Sequence, residues 1–568
     1  MALKDNPVIY LTYTMWKYSK GNRKNVILYF LMFVMANIVN LLEPLVIAKI
    51  LNTIQIQGVG AANLNTILFY IFLFVVISIM FWLFHGPARV LAFNNAFLVR
   101  ANYKKYLLDG TMSLSAQWHT DHHSGDTIDK IEKGTNALYR YSSYIYEVIE
   151  TIIRFIGSYI ALVYFNPHSS YIVLFMIIIT LEIIIRFDRK LIRQYIKLNN
   201  ADNRISAKIY DTISNITTVI ILRTENLISR SVFKNIMEPF RLFVKNHRLN
   251  EIKWFLVSTC TSLMKFLVLA TYIFFSVKSG STVLVGSIYA LYGYVNKINQ
   301  LFFRFAYRYG EIVRERTAVM NAEEISDEFE KIKVHEIKLI KKDWKELKVE
   351  NLKFSYHTEE GCDLHLDNVS LSIENGKRIA VIGKSGSGKT TLLKIIRQLY
   401  KPTHVDLSVD KRHLENGFQD ISSSIALIPQ DPEIFSTTIK ENITMGVGHS
   451  KDEIKKYTDM ACFTDVIVRL PKKLESSIVE KGVNLSGGEK QRLALARGLM
   501  ACKDKSIILL DEPTSSVDSK NEIDIYRNIF YEFGDRTIIS SIHRLHLLPM
   551  FDMIYFFDDG KVIAEGSF

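Results

Sequence analysis

Eight consecutive residues, Gly383, Lys384, Ser385, Gly386, Ser387, Gly388, Lys389 and Thr390, have the spacing G-x-x-x-x-G-K-[ST]. Glycines at those positions let successive backbone N–H groups close around a phosphate. The Lys389 ammonium would reach the β- and γ-phosphates of a nucleoside triphosphate, and the Thr390 hydroxyl suits Mg²⁺. Farther on, the apolar run Ile507 to Leu510 ends in Asp511 and Glu512. A carboxylate at a strand end beside phosphates can hold Mg²⁺, which assigns Asp511. Glu512, one residue on, can polarise an attacking water as general base. Between the two lies Leu485, Ser486, Gly487, Gly488, Glu489, just before the helix-forming stretch Lys490 to Met500. Ser486 is a good N-cap, and two glycines permit a phosphate to approach the helix end.

Such groups need a rigid scaffold. Arg378 to Ile382 reads as an apolar strand delivering the chain into the glycine loop, with a helix starting near Lys389. Ile507 to Leu510 reads as a buried parallel strand. The composition changes sharply along the 568 residues, with long Ile, Leu, Val, Phe and Tyr runs up to about 310. Six stretches are long and apolar enough to cross a bilayer: about 25–51, 65–88, 142–165, 169–187, 254–278 and 283–310. The loop from Asn52 to Asn65 carries no charge, whereas Lys4, Lys17, Lys20, Arg23 and Lys24 precede the first span, and the 89–141 and 188–253 connections are long and basic. By the positive-inside rule both termini then face the cytoplasm, with an interfacial helix at residues 7–19. The net charge of +12 is spent on those flanks, which argues against a nucleic-acid partner. Four scattered cysteines, without C-x-x-C spacing, suggest a reducing cytosol and neither disulfides nor zinc.

The expected architecture is an α-helical membrane domain of six transmembrane helices followed by an α/β P-loop NTPase-type nucleotide-binding domain. Its boundaries are 1–24 for a cytoplasmic N-terminal segment, 25–320 for the transmembrane domain, 321–344 for a linker and 345–568 for the nucleotide domain.

In this order the three motifs resemble the ATP-binding cassette (ABC) family, and Leu485 to Glu489 is similar to its signature pentad, with Glu489 where exporters more often have Gln. The resemblance covers nearly the whole chain and is to half-transporters of the type IV exporter class. It implies ATP and Mg²⁺ as cofactors, and nucleotide domains that pair head to tail, so that one copy's signature closes over ATP held by the other's glycine loop. It also implies residue roles. Tyr356 would stack on adenine, and residues 383–390 with Thr391 would hold the phosphates. Gln430 would sense Mg²⁺ and water, with Thr390 and Asp511 as the other metal-side groups. Asp518 would link the two sites, and His543 would contact the γ-phosphate. Ile209 to Glu225 resembles the second coupling segment, which docks on the partner's nucleotide domain. The stretch Ile478 to Gly482 departs from the family by lacking an inner glycine.

The resemblance therefore implies ATP-driven export of a small hydrophobic or amphipathic compound by a dimer. A homodimer is the first expectation and a related second half-transporter the other. The location would be a lipid bilayer, the bacterial cytoplasmic (inner) membrane. A different class, an ATP-gated channel or regulator, would keep the nucleotide site without uphill transport. Polar groups within spans are costly and mark candidate substrate contacts: Asn37, Lys265, Tyr289, Tyr292, Asn296 and Lys297. Against that stands plain helix packing. His119, His122 and His123 with Asp121 are read as a polar helix corner in preference to a metal site, because no closed ligand set accompanies them.

Overall fold

The structure, a computed structural model, describes residues 6–122, 124–331, 340, 343–358, 361–431, 433–478 and 485–568. His123, residues 332–339 and 341–342 of the expected linker and residues 479–482 of the departing stretch lie outside the described residues. The chain divides into two units, Met1–Ser113 with Ser124–Glu330 and Leu114–His123 with Lys331–Phe568.

The first unit is helical: α1 (Pro7–Tyr18), α2 (Arg23–Asn40), α3 (Glu43–Gln57), α4 (Leu64–Met112), α6 (Ser124–Ser143), α7 (Ile145–Phe165), α8 (Ser169–Ser214), α9 (Ile216–Ile221), α10 (Glu225–Met237), α11 (Phe240–Lys278) and α12 (Val285–Glu330). The short α5 (Ala116–Asp121) belongs to the second unit. Ile79 and Trp82 on α4 leave more than 60% of their surface uncovered. Apolar side chains facing outward all along a helix are what a lipid environment requires.

Two expectations are corrected here. The first span is not one continuous helix: it breaks at Leu41–Leu42, and α3 restarts with Pro44 in its first turn. Proline has no N–H to continue the ladder and is best tolerated in a first turn. Second, among the described residues five segments, not six, are long and apolar enough to cross a membrane: Arg23–Gln57, Leu64–Met112, Ser124–Phe165, Ser169–Ser214 and Glu225–Lys278. The sixth, α12, is a full-length helix, yet Asn296, Lys297, Asn299 and Gln300 lower its hydropathy. It can carry them because it packs on α3, α7, α8 and α11 and buries Leu291, Tyr294, Val295 and Ile298 there. At Gly286 the approach is backbone to backbone, since a Cβ would sit 2.1 Å from the Ala48 carbonyl oxygen.

The second unit holds two sheets. One is antiparallel, ordered β2 (Gly361–Glu374), β1 (Glu346–Thr358), β4 (His404–Val409), β5 (Arg412–His413). The other is ordered β10 (Lys561–Gly566), β9 (Met553–Asp558), β3 (Arg378–Gly383), β8 (Thr537–Ser541), β7 (Ile507–Asp511), β6 (Ile425–Ile428). It is parallel from β9 through β6. Helices α13 (Lys389–Ile396), α14 (Ile439–Thr444), α15 (Lys451–Met460), α16 (Thr464–Arg469), α17 (Gly487–Ala501) and α18 (Ser519–Glu532) complete it. Every residue of β7 and β8 is buried, as expected for strands covered on both faces. In such sheets ligands gather at the carboxyl ends of the strands. Here β3, β8, β7 and β6 are successive neighbours, and each delivers a motif at that end.

Candidate active site

Gly383 ends β3 with φ +148°, where a Cβ would lie 2.2 Å from the Phe557 carbonyl oxygen. Gly388 caps α13 at φ +101°. Only glycine tolerates such backbone at so close an approach. The loop between them turns on itself through Ser387 N–H to Lys384 O at 3.2 Å. The Ser387 hydroxyl is buried without a hydrogen-bond partner among the described residues. Lys389 is 4% exposed, and its Nζ donates to the carbonyls of Gly383 and Lys384, both at 2.9 Å. Burial pushes this ammonium below its ordinary value, against the pull of Glu512 and Asp511. The lysine is thus folded over the loop and can exchange two carbonyl partners for phosphate oxygens.

Thr390 Oγ1 donates to Asp511 Oδ1 at 2.9 Å, and Ser541 Oγ donates to the same oxygen at 2.8 Å. Glu512 follows with φ +44°, its N–H donating to Ser541 Oγ at 3.0 Å. Its two carboxylate oxygens are separately engaged: Gln430 Nε2 donates to one at 3.0 Å, and His543 Nε2 lies 3.0 Å from the other. The sheet therefore joins Lys389, Thr390, Gln430, Asp511, Glu512 and His543 in one place, from four different strand ends. The Tyr356 ring sits edge-on to Tyr400 and His365, with its hydroxyl 3.5 Å from that of Thr391.

Mg²⁺ takes hard oxygen ligands and keeps only one or two from protein, completing its shell with phosphate and water. Thr390 and Asp511 supply that donor set, with adjoining oxygens beside the glycine loop. Among the described residues no group of three or more His, Cys, Asp or Glu side chains forms a metal cage. His122 is stacked on Trp118 and its Nδ1 lies 2.8 Å from the Trp118 carbonyl.

The signature residues form a separate cluster. Ser486 caps α17 and accepts from Glu489 N–H at 3.3 Å, while Glu489 accepts from Ser486 N–H at 2.9 Å, a reciprocal capping box. That bond from Ser486 holds the Glu489 carboxyl below its ordinary value. Arg469 pairs with Glu489 at 3.0 Å, which neutralises the charge that replaces the usual amide. Asp518 caps α18, accepting from Asn521 N–H at 3.0 Å.

Sequence reading missed three residues. Gln491 Nε2 donates to Ser515 Oγ at 2.7 Å and to the Gln430 carbonyl at 3.2 Å, while its Oε1 accepts from Ser516 N–H. Arg544 holds the carbonyls of Val517 and Ser515. Ser541 anchors both acidic residues. None belongs to a spacing pattern; their roles arise from tertiary packing alone.

The candidate cavity residues separate into two groups. Asn37 accepts from Arg154 Nε at 2.9 Å and donates to the Phe33 carbonyl, and Lys297 donates to the Asn40 carbonyl at 2.9 Å. Both are taken up by packing. Tyr289 and Tyr292 remain exposed, and Lys265 lies over the Tyr292 ring.

Burial is the largest influence on Glu512 and raises its carboxyl, with His543 opposing and Asp511 adding to the rise. A base must be ionised, so lowering the pH through this raised value removes activity. The acid limb of kcat/KM for ATP hydrolysis is expected above the usual carboxylate range of about 4.3. A pH–rate profile checks this, and a midpoint at or below about 4 would contradict it.

Two family models match the chain, the ABC transporter transmembrane region over residues 26–301 and the ABC transporter model over 366–515. Among curated relatives, an ATP-dependent lipid A-core flippase of Photobacterium profundum is 34% identical over 39% of this chain and 38% of its own length. ATP-binding cassette sub-family B member 6 of Xenopus tropicalis is 29% identical over 80% of this chain and 53% of its own. The chain thus spans well under two thirds of the curated relatives it matches. A bacterial Atm1-family ABC exporter solved with ATP bound shares the fold, with a TM-score of 0.80 over 96% of both chains at 22% identity. An integral membrane region and an ATP-binding domain follow one another in a single polypeptide, and the chain belongs to the ABC transporter family.

Proposed function

We propose that two copies of this chain hydrolyse MgATP and use the cycle to move an amphipathic compound out of the cytoplasm, across a bacterial cytoplasmic membrane. The observation that carries this reading is the Glu512 carboxylate, held between Gln430 and His543 at 3.0 Å each beside Lys389 and Thr390. A merely regulatory nucleotide site has no use for a base so positioned.

The roles follow from the geometry. Lys389 binds the β- and γ-phosphates and offsets their charge. Gln430 and His543 aim Glu512, which accepts a proton from the attacking water. Mg²⁺, held by Thr390 and Asp511, would neutralise charge developing on the phosphates. Dimerisation is supported by the signature cluster, which is capped and charge-neutral on its own and leaves the α17 N-terminus available to a second nucleotide.

Coupling has a physical basis as well. On α9, Ile220 and Ile221 are more than half exposed, and Leu222 extends the patch. The nucleotide unit carries an apolar cleft of about 260 Å³ lined by Ile428, Pro429, Met445, Ala494, Leu495 and Gly498. Burying three such side chains yields several kcal/mol, at about 1.5–3 each. We assign the partner copy's Ile216–Leu222 segment to that cleft. The double substitution Ile220→Asp with Leu222→Asp is expected to reduce transport into vesicles more than about tenfold while ATP binding persists. Unchanged transport would refute the assignment, and flux down a gradient without hydrolysis would favour the ATP-gated channel.

A further inference from the structure

Several cations inside the membrane unit are held by neighbours. Arg154 and Arg304 share Glu150, at 2.7 and 2.6 Å. Lys253 pairs with Asp188 at 3.0 Å, and Lys297 is bonded to Asn40. Lys265 is different. It stands on α11, thirteen residues before the helix ends at Lys278, or roughly 20 Å along the axis. That depth lies within a hydrocarbon layer of about 30 Å. Its ammonium lies 5.4 Å from the Tyr292 ring centroid, and no carboxylate pairs with it among the described residues.

A cation at such depth is costly unless something compensates it. A tyrosine face contributes about 0.5–2 kcal/mol, less than the penalty of about 2.5–3.5 kcal/mol for a lysine at the centre of a span. A negative charge from outside the chain would close the difference. Tyr292 also belongs to an uncovered face of α12. Tyr289, Tyr292, Phe303 and Tyr307 are 39%, 47%, 37% and 68% exposed, at intervals that put them along one side of the helix. The face is aromatic with scattered hydroxyls, and Lys265 stands at the Tyr292 level.

We propose that Lys265 and Tyr292 form the anion-recognition end of the transported-compound site. The ligand class is an amphiphile bearing a phosphate, sulfate or carboxylate group, its apolar part lying along the Tyr289–Tyr307 face. The proposal rests on the exporter reading above and narrows its substrate class. Lys297, bonded to Asn40, takes no part.

The test uses the full chain in phosphatidylcholine vesicles, with dodecyl phosphate, dodecyltrimethylammonium and inorganic phosphate as probes and dissociation constants as the readout. Dodecyl phosphate is expected to bind and to stimulate ATP hydrolysis, and the other two are expected to do neither. Lys265→Gln and Lys265→Met should weaken dodecyl phosphate about tenfold or more, whereas Lys265→Arg should hold it within about threefold. Equal binding of dodecyl phosphate by Lys265→Gln and the parent would overturn the proposal. So would equal binding of dodecyltrimethylammonium, or of inorganic phosphate, which would make the site one for free anions. Dissociation of the dimer on Lys265→Gln would overturn it too, by giving the charge a partner in the second copy. Hydrolysis by the unmodified protein without any probe is scored separately: its absence would count against the exporter reading, and the binding constants would still decide the Lys265 assignment.

Discussion

Glu512→Gln is expected to lower the turnover of ATP by about 10²- to 10⁴-fold, the usual span for loss of a general base, while ATP still binds. The amide keeps the shape of the side chain and one acceptor oxygen, so the bond from Gln430, at 3.0 Å in the parent, can survive. What disappears is the capacity to take a proton. The contact with His543 at 3.0 Å loses its carboxylate charge. Steady-state phosphate release and equilibrium ATP binding, measured on the same preparation, separate the two effects. A variant that still hydrolyses at the parent rate would show that water is activated by another group.

Lys389→Ala is expected to act one step earlier, on binding. Its ammonium is almost fully buried and satisfied only by two backbone carbonyls, so it is already desolvated and aimed into the loop. Removing one partner of a buried charge-assisted contact costs about 2–5 kcal/mol, roughly 30- to 5000-fold in ATP affinity. Calorimetric titration with ATP and Mg²⁺ reads it. Parent-like affinity would mean that the loop's N–H groups alone hold the phosphates.

Much of this site is legible in the sequence because its parts are local. The glycine loop needs its strand before it and its helix after it, and both are visible in the apolar run of Arg378 to Ile382 and the helix formers after Lys389. Ile507 to Leu510 is an uninterrupted apolar run because β7 is covered on both faces, and Ser486 announces α17 through its capping box. The remainder depends on what folding brings together. Gln491 and Ser541 have no pattern of their own, and acquire roles only when α17 and β8 arrive beside Gln430 and Asp511. The break at Leu41 follows from Pro44, a visible residue whose effect on a long apolar run is a matter of position. The α12 helix hides from a hydropathy reading because its polar residues are sheltered by α3, α7, α8 and α11. Lys265 and Lys297 look alike in the sequence and differ only in their neighbours, Tyr292 for one and Asn40 for the other.

The central claim is that each ATP is clamped by the glycine loop of one copy and the signature of the other. Dimers of two differently tagged copies, purified through both tags, test it most directly by their rate of ATP hydrolysis. With Lys389→Ala in one copy and Ser486→Arg in the other, one clamp remains intact, and hydrolysis is expected to persist at up to about half the parent rate. With both substitutions in the same copy beside an unaltered partner, each clamp is damaged and hydrolysis should vanish. The reverse pattern, activity in the second dimer and none in the first, would mean that each chain completes its own site and would contradict the account.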